Sequence, residues 1–372
     1  MENGNRKNVL QLLNYNAPYK GNFIQSILHL ETKLKAENIE MVYLFEKESA
    51  AREWVRELIN EGKKIYFLKG SNIKDIFFIN SLIRKHNIGI IHTHFIGIRY
   101  NFLLNTIRRF LGIKFTIARH FHNPYDQKSN AAEKLKKIFA PVDITIGCSK
   151  AVADDYALKK KDKNERIDYA TNAIDFSRLD KYETLQKENL GIEKNSFTLL
   201  LFGFDYYRKG VDLTIEAVRE LISQDIHIYL LISLAVNKNF AEQEIRKKFN
   251  EIPEWIKIIE PRDDIATYYK FADVFISSSR SEGFCYSLVE AAYCGSQIIA
   301  SEILAQQDLN IPYTFQFPSG NVEELKRQIL LSMTTSADEK IRRADEQKKY
   351  VTRTFDLNLW AEEVIRIYKS VS

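Results

Sequence analysis

Short apolar runs that alternate with stretches of helical periodicity constrain the fold of this 372-residue chain more than any other feature. The runs are continuously apolar, which is typical of strands covered on both faces, and no hairpin signal joins one run to the next. The alternation therefore predicts an α/β architecture of parallel sheets with helices on both faces. The predicted strands are residues 8–13, 41–45, 64–68, 89–95, 114–119, 143–147, 166–170, 196–202, 226–234, 255–259, 273–277, 297–301 and 315–317.

Length and composition bound the organisation of the chain. A chain of 372 residues is long for one core and suits two domains. No apolar run reaches the roughly 18–20 residues that span a bilayer, and the opening segment, MENGNRKN, holds no apolar signal sequence. The three cysteines show neither metal-ligand spacing nor a disulfide framework. We therefore expect a cytoplasmic protein with reduced thiols.

The stretch from Ser281 to Ser301 carries two carboxylates around a turn and a helix. Glu282 lies in the turn after a predicted strand, and Glu290 lies in a predicted helix that ends at Gly295. Open α/β sheets bind ligands at such loops, and a helix N-terminus favours phosphate. A structural interpretation is also open, because Ser287 and Glu290 fit a capping box and Glu282 would then be a solvated turn residue.

Two adjacent cations, Arg208 and Lys209, follow the predicted strand 196–202 and precede a predicted helix. They suit a diphosphate, because Arg can bind phosphate oxygens bidentately and Lys acts as a point charge. The alternative is a pair of surface cations without a ligand, which is common in any protein.

Four of the seven histidines form two H-x-H pairs at the ends of neighbouring predicted strands, His92 with His94 and His120 with His122. Side chains two residues apart on a strand face the same side, so the pairs could together hold a metal ion. No carboxylate or cysteine keeps regular spacing with them, however. The pattern favours strand ends that line a ligand-binding cleft over a metal site.

The residues Glu282-Gly283-Phe284, Glu290-Ala291 and Gly295 resemble the E-x7-E signature of retaining GT-B glycosyltransferases. These are the family 4-like, group 1 enzymes, which include bacterial capsule and lipopolysaccharide glycosyltransferases. The resemblance implies two Rossmann-like domains with parallel sheets facing a central cleft. The implied domains are an acceptor-binding domain at 1–172, a hinge at 173–195 and a nucleotide-sugar domain at 196–356, with the helix 357–372 packing back on the first domain.

The resemblance also implies an activity. It is the metal-independent, retaining transfer of a hexose or N-acetylhexosamine from a nucleotide sugar, more often UDP-linked, to a sugar or lipid-linked glycan in surface polysaccharide synthesis. The donor is a substrate, so no cofactor is expected, and no Asp-x-Asp metal motif is present. Two alternatives stay open: a non-catalytic partner subunit that binds a nucleotide or glycan, and a phosphorylase-type enzyme on the same plan.

The family's functional positions map onto this sequence residue by residue. The implied catalytic residues are Glu282, Lys209, Arg208 and His120, and the implied donor-binding residues are Gly21, Gly203, Arg262, Gly283, Phe284, Cys285, Ser287, Leu288 and Glu290. His94, His122 and Asn123 are expected in the sugar and acceptor cleft. The sequence departs from the family pattern at Ala173, Phe204 and Cys285, and we expect Cys285 to crowd the donor sugar.

Basic and apolar residues alternate at helical spacing over residues 99–111, and lysines cluster over 158–163. Such a surface can rest on anionic lipid headgroups at the inner face of a membrane, or it can be a solvated helix and loop. The net charge of +5 is mild and no recognition motif is present, so nucleic acid is not an expected partner.

Overall fold

The computed structural model describes residues 8–123, 140–159, 166–181, 183–184, 186–234, 238–260 and 264–371. The chain divides into two compact units. The first comprises Met1–Ala173 with Leu357–Ser372, and the second comprises Ile174–Asp356.

A seven-stranded sheet forms the centre of the first unit, and all its strand pairs are parallel. Its strands are β1 (Asn8–Leu13), β2 (Met41–Phe45), β3 (Ile65–Phe67), β4 (Ile88–His94), β5 (Thr116–Phe121), β6 (Ile144–Gly147) and β7 (Arg166–Tyr169), in the order β3-β2-β1-β4-β5-β6-β7. The helices between them are α1 (Gly21–Ala36), α2 (Glu53–Asn60), α3 (Asn72–Lys85), α4 (Ile98–Leu111) and α5 (Lys150–Lys159).

A six-stranded parallel sheet forms the centre of the second unit. Its strands are β8 (Phe197–Phe202), β9 (Ile228–Ser233), β10 (Ile256–Ile259), β11 (Val274–Ser277), β12 (Gln297–Ser301) and β13 (Phe315–Phe317), in the order β10-β9-β8-β11-β12-β13. Its helices are α6 (Val211–Ile222), α7 (Lys238–Phe249), α8 (Ala266–Phe271), α9 (Tyr286–Cys294), α10 (Leu304–Gln307), α11 (Val322–Met333) and α12 (Ala337–Thr354). The predicted architecture of two α/β domains with parallel sheets is confirmed.

The last helix, α13 (Leu357–Val371), belongs to the first unit and packs against α1. Trp360, Val364 and Ile367 recur at helical spacing and lie buried in the core of that unit. Burying side chains of this size stabilises a fold by roughly 1.5–3 kcal/mol each. Because this face of α13 is apolar, the chain terminus is anchored on the sheet that carries the histidine pairs.

The basic segment 99–111 corresponds to α4, whose outer face exposes Phe102 and Phe110. Of the predicted basic loop, Leu158 and Lys159 close α5, and the residues that follow lie outside the described part of the chain. Within the described residues, no helix combines the length and apolarity needed to cross a bilayer.

Candidate functional site

The loop between β8 and α6 carries the two adjacent cations of the second unit. At its start, a Cβ on Gly203 would meet the Cγ2 of Val211 at 2.7 Å, so glycine is required there by packing alone. At its end, Gly210 has a φ of +67°, which favours glycine, and a Cβ there would lie 2.0 Å from the carbonyl oxygen of Ser278. Gly210 therefore lets this loop approach the segment after β11 closely.

Hydrogen bonds hold the two loops together at this point. The hydroxyl of Ser278 donates to the carbonyl oxygens of Lys209 at 3.0 Å and Gly210 at 2.8 Å. Because β8 and β11 are neighbours in the sheet, both loops leave the carboxyl edge side by side. Arg280 extends the connection with a bidentate ion pair to Asp212 at the start of α6.

Lys209 and Glu282 form a buried ion pair across the two loops. The Nζ of Lys209 lies 2.5 Å from the Oε1 of Glu282, and each residue is only 8% exposed. A guanidinium nitrogen of Arg208 lies 3.3 Å from the Oε2 of Glu282, and the hydroxyl of Ser279 donates to Oε1 at 2.8 Å. Lys209 is therefore not a solvated surface cation, because a buried charge persists in a protein only when it is paired.

Phe204 lies beneath both cations of this cluster. Its ring centroid is 4.5 Å from the Nζ of Lys209 and 5.0 Å from the Cζ of Arg208, which are distances of cation–π contacts. Phe204 is one of the positions at which the sequence departs from the family pattern. Its ring packs against the charged site, which keeps both cations.

Glu290 lies buried on α9 with partners from two other segments. It accepts a hydrogen bond from the hydroxyl of Tyr269 at 2.8 Å and forms an ion pair with Arg178, which lies in a short 3-10 turn. Burial raises the pKa of Tyr269, so its hydroxyl remains a donor. The capping-box interpretation is wrong, because the helix is preceded by Cys285 as its N-cap and Ser287 lies inside its first turn.

The residues between Glu282 and Glu290 are largely buried. The Sγ of Cys285 lies 3.5 Å from the Oγ of Ser277 and 3.4 Å from that of Ser287, and burial raises the pKa of this thiol. Phe284 packs against other aromatic rings, while the side chain of Leu288 lies in the core. Leu288 can therefore offer a ligand only its backbone, as can Gly283. The helix ends as predicted at Gly295, which adopts the left-handed conformation.

The histidine pairs of the first unit meet at the carboxyl ends of β4 and β5. His94 lies opposite His120 in the sheet register, and the rings of His120 and His122 stack with centroids 4.6 Å apart. The Nδ1 of His94 lies 3.1 Å from the Nε2 of His122, while the Nδ1 of His120 lies 3.3 Å from the Nε2 of His92. Burial lowers the pKa of all four imidazoles, in the case of His120 to about 3, so the cluster is neutral at pH 7.

These histidines could supply a metal with nitrogen ligands. The nearest nitrogen atoms of His92, His94 and His120 all lie within 4.8 Å of one another. In the part of the chain that the structure describes, no carboxylate or cysteine joins this group. Both ring nitrogens of His92 and both of His94 already take part in hydrogen bonds, so a metal ion would compete with these bonds.

Three features lie beside the histidine cluster. Phe95 has a φ of +57°, an uncommon conformation for a bulky residue, and its ring stacks on His122 at a centroid distance of 4.0 Å. Asn123 is exposed just beyond β5. Gly21 opens α1 with a φ of +58°, and a Cβ there would lie 2.9 Å from the hydroxyl of Tyr15. The structure thus places Gly21 and Asn123 in the same unit as the histidines.

The structure brings together most of the predicted site residues within their own units. Arg262 lies outside the described residues. The sequence analysis missed Arg178, Tyr269 and Ser279, which hold the two glutamates, and Tyr368, which bonds to His92. The contacts of Arg178, Tyr269 and Tyr368 span 112, 21 and 276 residues of the sequence, so no local pattern pointed to these three.

Residues 183–350 match the family of glycosyl transferases group 1, so the second unit carries a domain of that family. A fission yeast protein, the phosphatidylinositol N-acetylglucosaminyltransferase gpi3 subunit of Schizosaccharomyces pombe, is 22% identical over 302 residues, which are 79% of this chain and 63% of that protein. The chain thus spans under two thirds of that relative. The capsular polysaccharide biosynthesis glycosyltransferase CapH of Staphylococcus aureus is 22% identical over 330 residues, 84% of this chain and 86% of that protein.

The fold also matches a solved structure. The Anabaena protein Alr3699/HepE, crystallised in complex with UDP, superposes with a TM-score of 0.78 at 14% sequence identity, covering 98% of this chain and 100% of that one. The likeness shows that the chain has the two-domain fold of GT-B glycosyltransferases.

Proposed function

We propose that this chain is a retaining glycosyltransferase that moves a hexose or N-acetylhexosamine from a UDP-linked donor to a sugar or lipid-linked glycan. The observation that carries the proposal is a cluster formed across two loops. Lys209 and Arg208, in the loop between β8 and α6, pair with Glu282, in the loop directly before α9. A basic group and a helix N-terminus together form an anion site at the carboxyl edge of a parallel sheet.

The chemistry that such a site favours is the departure of a nucleoside diphosphate. When the bond between the anomeric carbon and the phosphate oxygen breaks, its electron pair goes to the diphosphate. Lys209, Arg208 and the first N–H groups of α9 would stabilise that developing charge. In retention, the acceptor hydroxyl attacks from the face that the diphosphate leaves, and its proton passes to a phosphate oxygen of the leaving group.

The two glutamates serve this reaction as anchors and not as a hydrolytic acid–base pair. Both oxygens of Glu282 already accept hydrogen bonds from Lys209, Arg208 and Ser279, so this carboxylate is not free to take a proton. Glu290 accepts from Tyr269 and Arg178. Because a carboxylate accepts hydrogen bonds and a ribose hydroxyl donates them, Glu290 is proposed to hold the hydroxyls of a ribose.

The donor and acceptor classes are supported by the relatives. The Anabaena protein binds UDP in its crystal, the fission yeast relative is named for N-acetylglucosamine transfer, and the staphylococcal relative for capsular polysaccharide synthesis. A UDP-linked donor and a glycan or lipid-linked acceptor are consistent with these three. His120, His122, His94 and Asn123 are proposed to contact sugar hydroxyls.

We expect transfer to proceed without a divalent metal, because side-chain cations occupy the position of the leaving-group charge. The rate of UDP release from UDP-glucose or UDP-N-acetylglucosamine should be unchanged in about 5 mM EDTA, which removes free Mg²⁺ and Mn²⁺. Loss of release in EDTA with recovery on adding Mn²⁺ or Mg²⁺ would contradict the leaving-group assignment.

A non-catalytic partner subunit is the second candidate. The name of the fission yeast relative, which describes that protein as a subunit, favours it. The same assay separates the two. A chain that is stabilised thermally by UDP-sugars but never releases UDP would be a binding subunit. A chain that releases UDP slowly, even to water, would be an enzyme.

A further inference from the structure

A chain of buried hydrogen bonds runs from Gln11 on β1 to His120 on β5. The amide nitrogen of Gln11 lies 3.1 Å from the Oη of Tyr368 on α13, and that oxygen lies 2.6 Å from the Nδ1 of His92. The Nε2 of His92 then lies 3.3 Å from the Nδ1 of His120. The direction of the hydrogen bond at the Gln11 end therefore bears on the directions of the bonds that follow it.

The orientation of the Gln11 amide sets that direction. Its nitrogen also lies 3.4 Å from the Sδ of Met41, a weak acceptor, which suits an N–H group and not a carbonyl oxygen. Its oxygen faces the Nε2 of His94 at 3.1 Å and accepts from it. Gln11 therefore donates to the oxygen of Tyr368.

The proton positions follow from this start. Tyr368, which accepts from Gln11, lies 2.6 Å from the Nδ1 of His92, a distance typical of an O–H donor, and donates its own proton to that nitrogen. A neutral imidazole carries one proton, so His92 carries it on Nε2 and donates to the Nδ1 of His120. The proton of His120 must then lie on Nε2. Burial lowers the pKa of both rings, which keeps each at a single proton.

The Nε2 of His120 is the open end of this chain. It is buried, on a residue that is 4% exposed, and within the described residues it has no hydrogen-bond partner. An orphaned buried donor is costly and rare in native proteins, and a bound ligand is one way to complete it. By contrast, the other nitrogen atom of the ring is already occupied by His92.

We infer that Gln11, Tyr368 and His92 are positioning residues that hold His120 in the tautomer whose Nε2–H donates to a hydroxyl oxygen of the sugar substrate. This inference rests on the proposed glycosyl transfer and deepens it. It gives helix α13 a role in the reaction, because α13 contributes Tyr368 to this series of hydrogen bonds.

The tautomer can be read directly by NMR of the full-length chain labelled with ¹⁵N-histidine. We expect His120 to be protonated on Nε2 in the wild type and to populate both tautomers in Tyr368→Phe, since His92 then loses its fixed donor. Tyr43→Phe is the matched control: it removes another buried hydroxyl of the same unit, which donates to Glu31, and should leave the His120 signals unchanged. A wild-type His120 protonated on Nδ1, or a tautomer unchanged in Tyr368→Phe, would overturn the inference.

Kinetics supply a second test. Tyr368→Phe should lower kcat for UDP-sugar breakdown about tenfold, the factor of one hydrogen bond of ordinary strength. His120→Gln retains an N–H donor that does not depend on the relay, so adding Tyr368→Phe to it should have no further effect. A tenfold loss in both backgrounds would show a merely structural role for Tyr368. Because the NMR reading needs no substrate, Nε2 protonation without any sugar transfer would overturn the proposed function and leave the tautomer assignment standing.

Discussion

Replacing Lys209 with methionine should lower kcat for glycosyl transfer by about 10²–10³-fold, the effect typical of removing one charge-stabilising group from a transition state. Methionine keeps most of the apolar stem but removes the ammonium group, which faces Glu282 and lies over the ring of Phe204. The loss should fall on kcat more than on KM, because the charge on the leaving diphosphate grows mainly in the transition state.

Stability has to be separated from activity in this experiment. Lys209 and Glu282 are both buried, and removing one partner of a buried pair costs roughly 3–5 kcal/mol, an upper estimate here because Arg208 and Ser279 remain. Adding Glu282→Gln to Lys209→Met should recover part of the stability, since no unpaired carboxylate then remains, while activity stays lost. Lys247→Met, on an exposed lysine of α7, controls for charge removal. A folded Lys209→Met variant with wild-type kcat would refute the assignment of Lys209.

Acidification should destabilise the first unit well before carboxylates titrate. Burial lowers the pKa of His92, His94, His120 and His122 below the ordinary value near 6.5. Above pH 6.5 these groups are neutral in both the folded and the unfolded chain and contribute no pH dependence. Below it the unfolded chain binds more protons, so each histidine removes about 1.4 kcal/mol of unfolding free energy per pH unit, until its folded pKa is reached.

Tryptophan fluorescence can follow the first unit alone. Trp54 and Trp360 lie in its core, so a Trp255→Phe background removes the remaining signal, which comes from the second unit. Urea unfolding at pH 7.5 and pH 5.5 should show a decrease of several kcal/mol, on the order of 1 kcal/mol for each buried histidine. His122→Gln should shrink that decrease, and His29→Gln, at a partly exposed histidine of α1, should not. Equal unfolding free energies at the two pH values would contradict a neutral buried cluster.

Local patterns were enough to predict the secondary structure. The observed bounds of β1, β2 and β12 coincide with the predicted ones, and α9 ends at the predicted Gly295. Apolar runs and a helix-ending glycine are encoded within a few residues. Local patterns do not predict the order of the strands in each sheet. The ion pair between Lys209 and Glu282 exists because β8 and β11 are neighbours, although 73 residues separate the two side chains.

The parts of the site that the sequence did not reveal depend on long-range contacts. Arg178 lies in a stretch predicted as linker and pairs with a carboxylate 112 residues away. Tyr368 reaches His92 across 276 residues. The capping-box interpretation of Glu290 failed for the opposite reason. The local pattern was present, but the helix begins two positions earlier than the box requires, and tertiary partners bind the carboxylate.

The configuration of the transferred sugar tests the central proposal most directly. The full chain would be incubated in EDTA with UDP-α-glucose or UDP-α-N-acetylglucosamine and methanol, whose hydroxyl stands in for the acceptor and whose glycosides do not mutarotate. We expect UDP and the methyl α-glycoside in equal amounts, identified by NMR. The methyl β-glycoside would contradict retention, and the absence of UDP release from either donor would contradict the assignment of a UDP-sugar transferase.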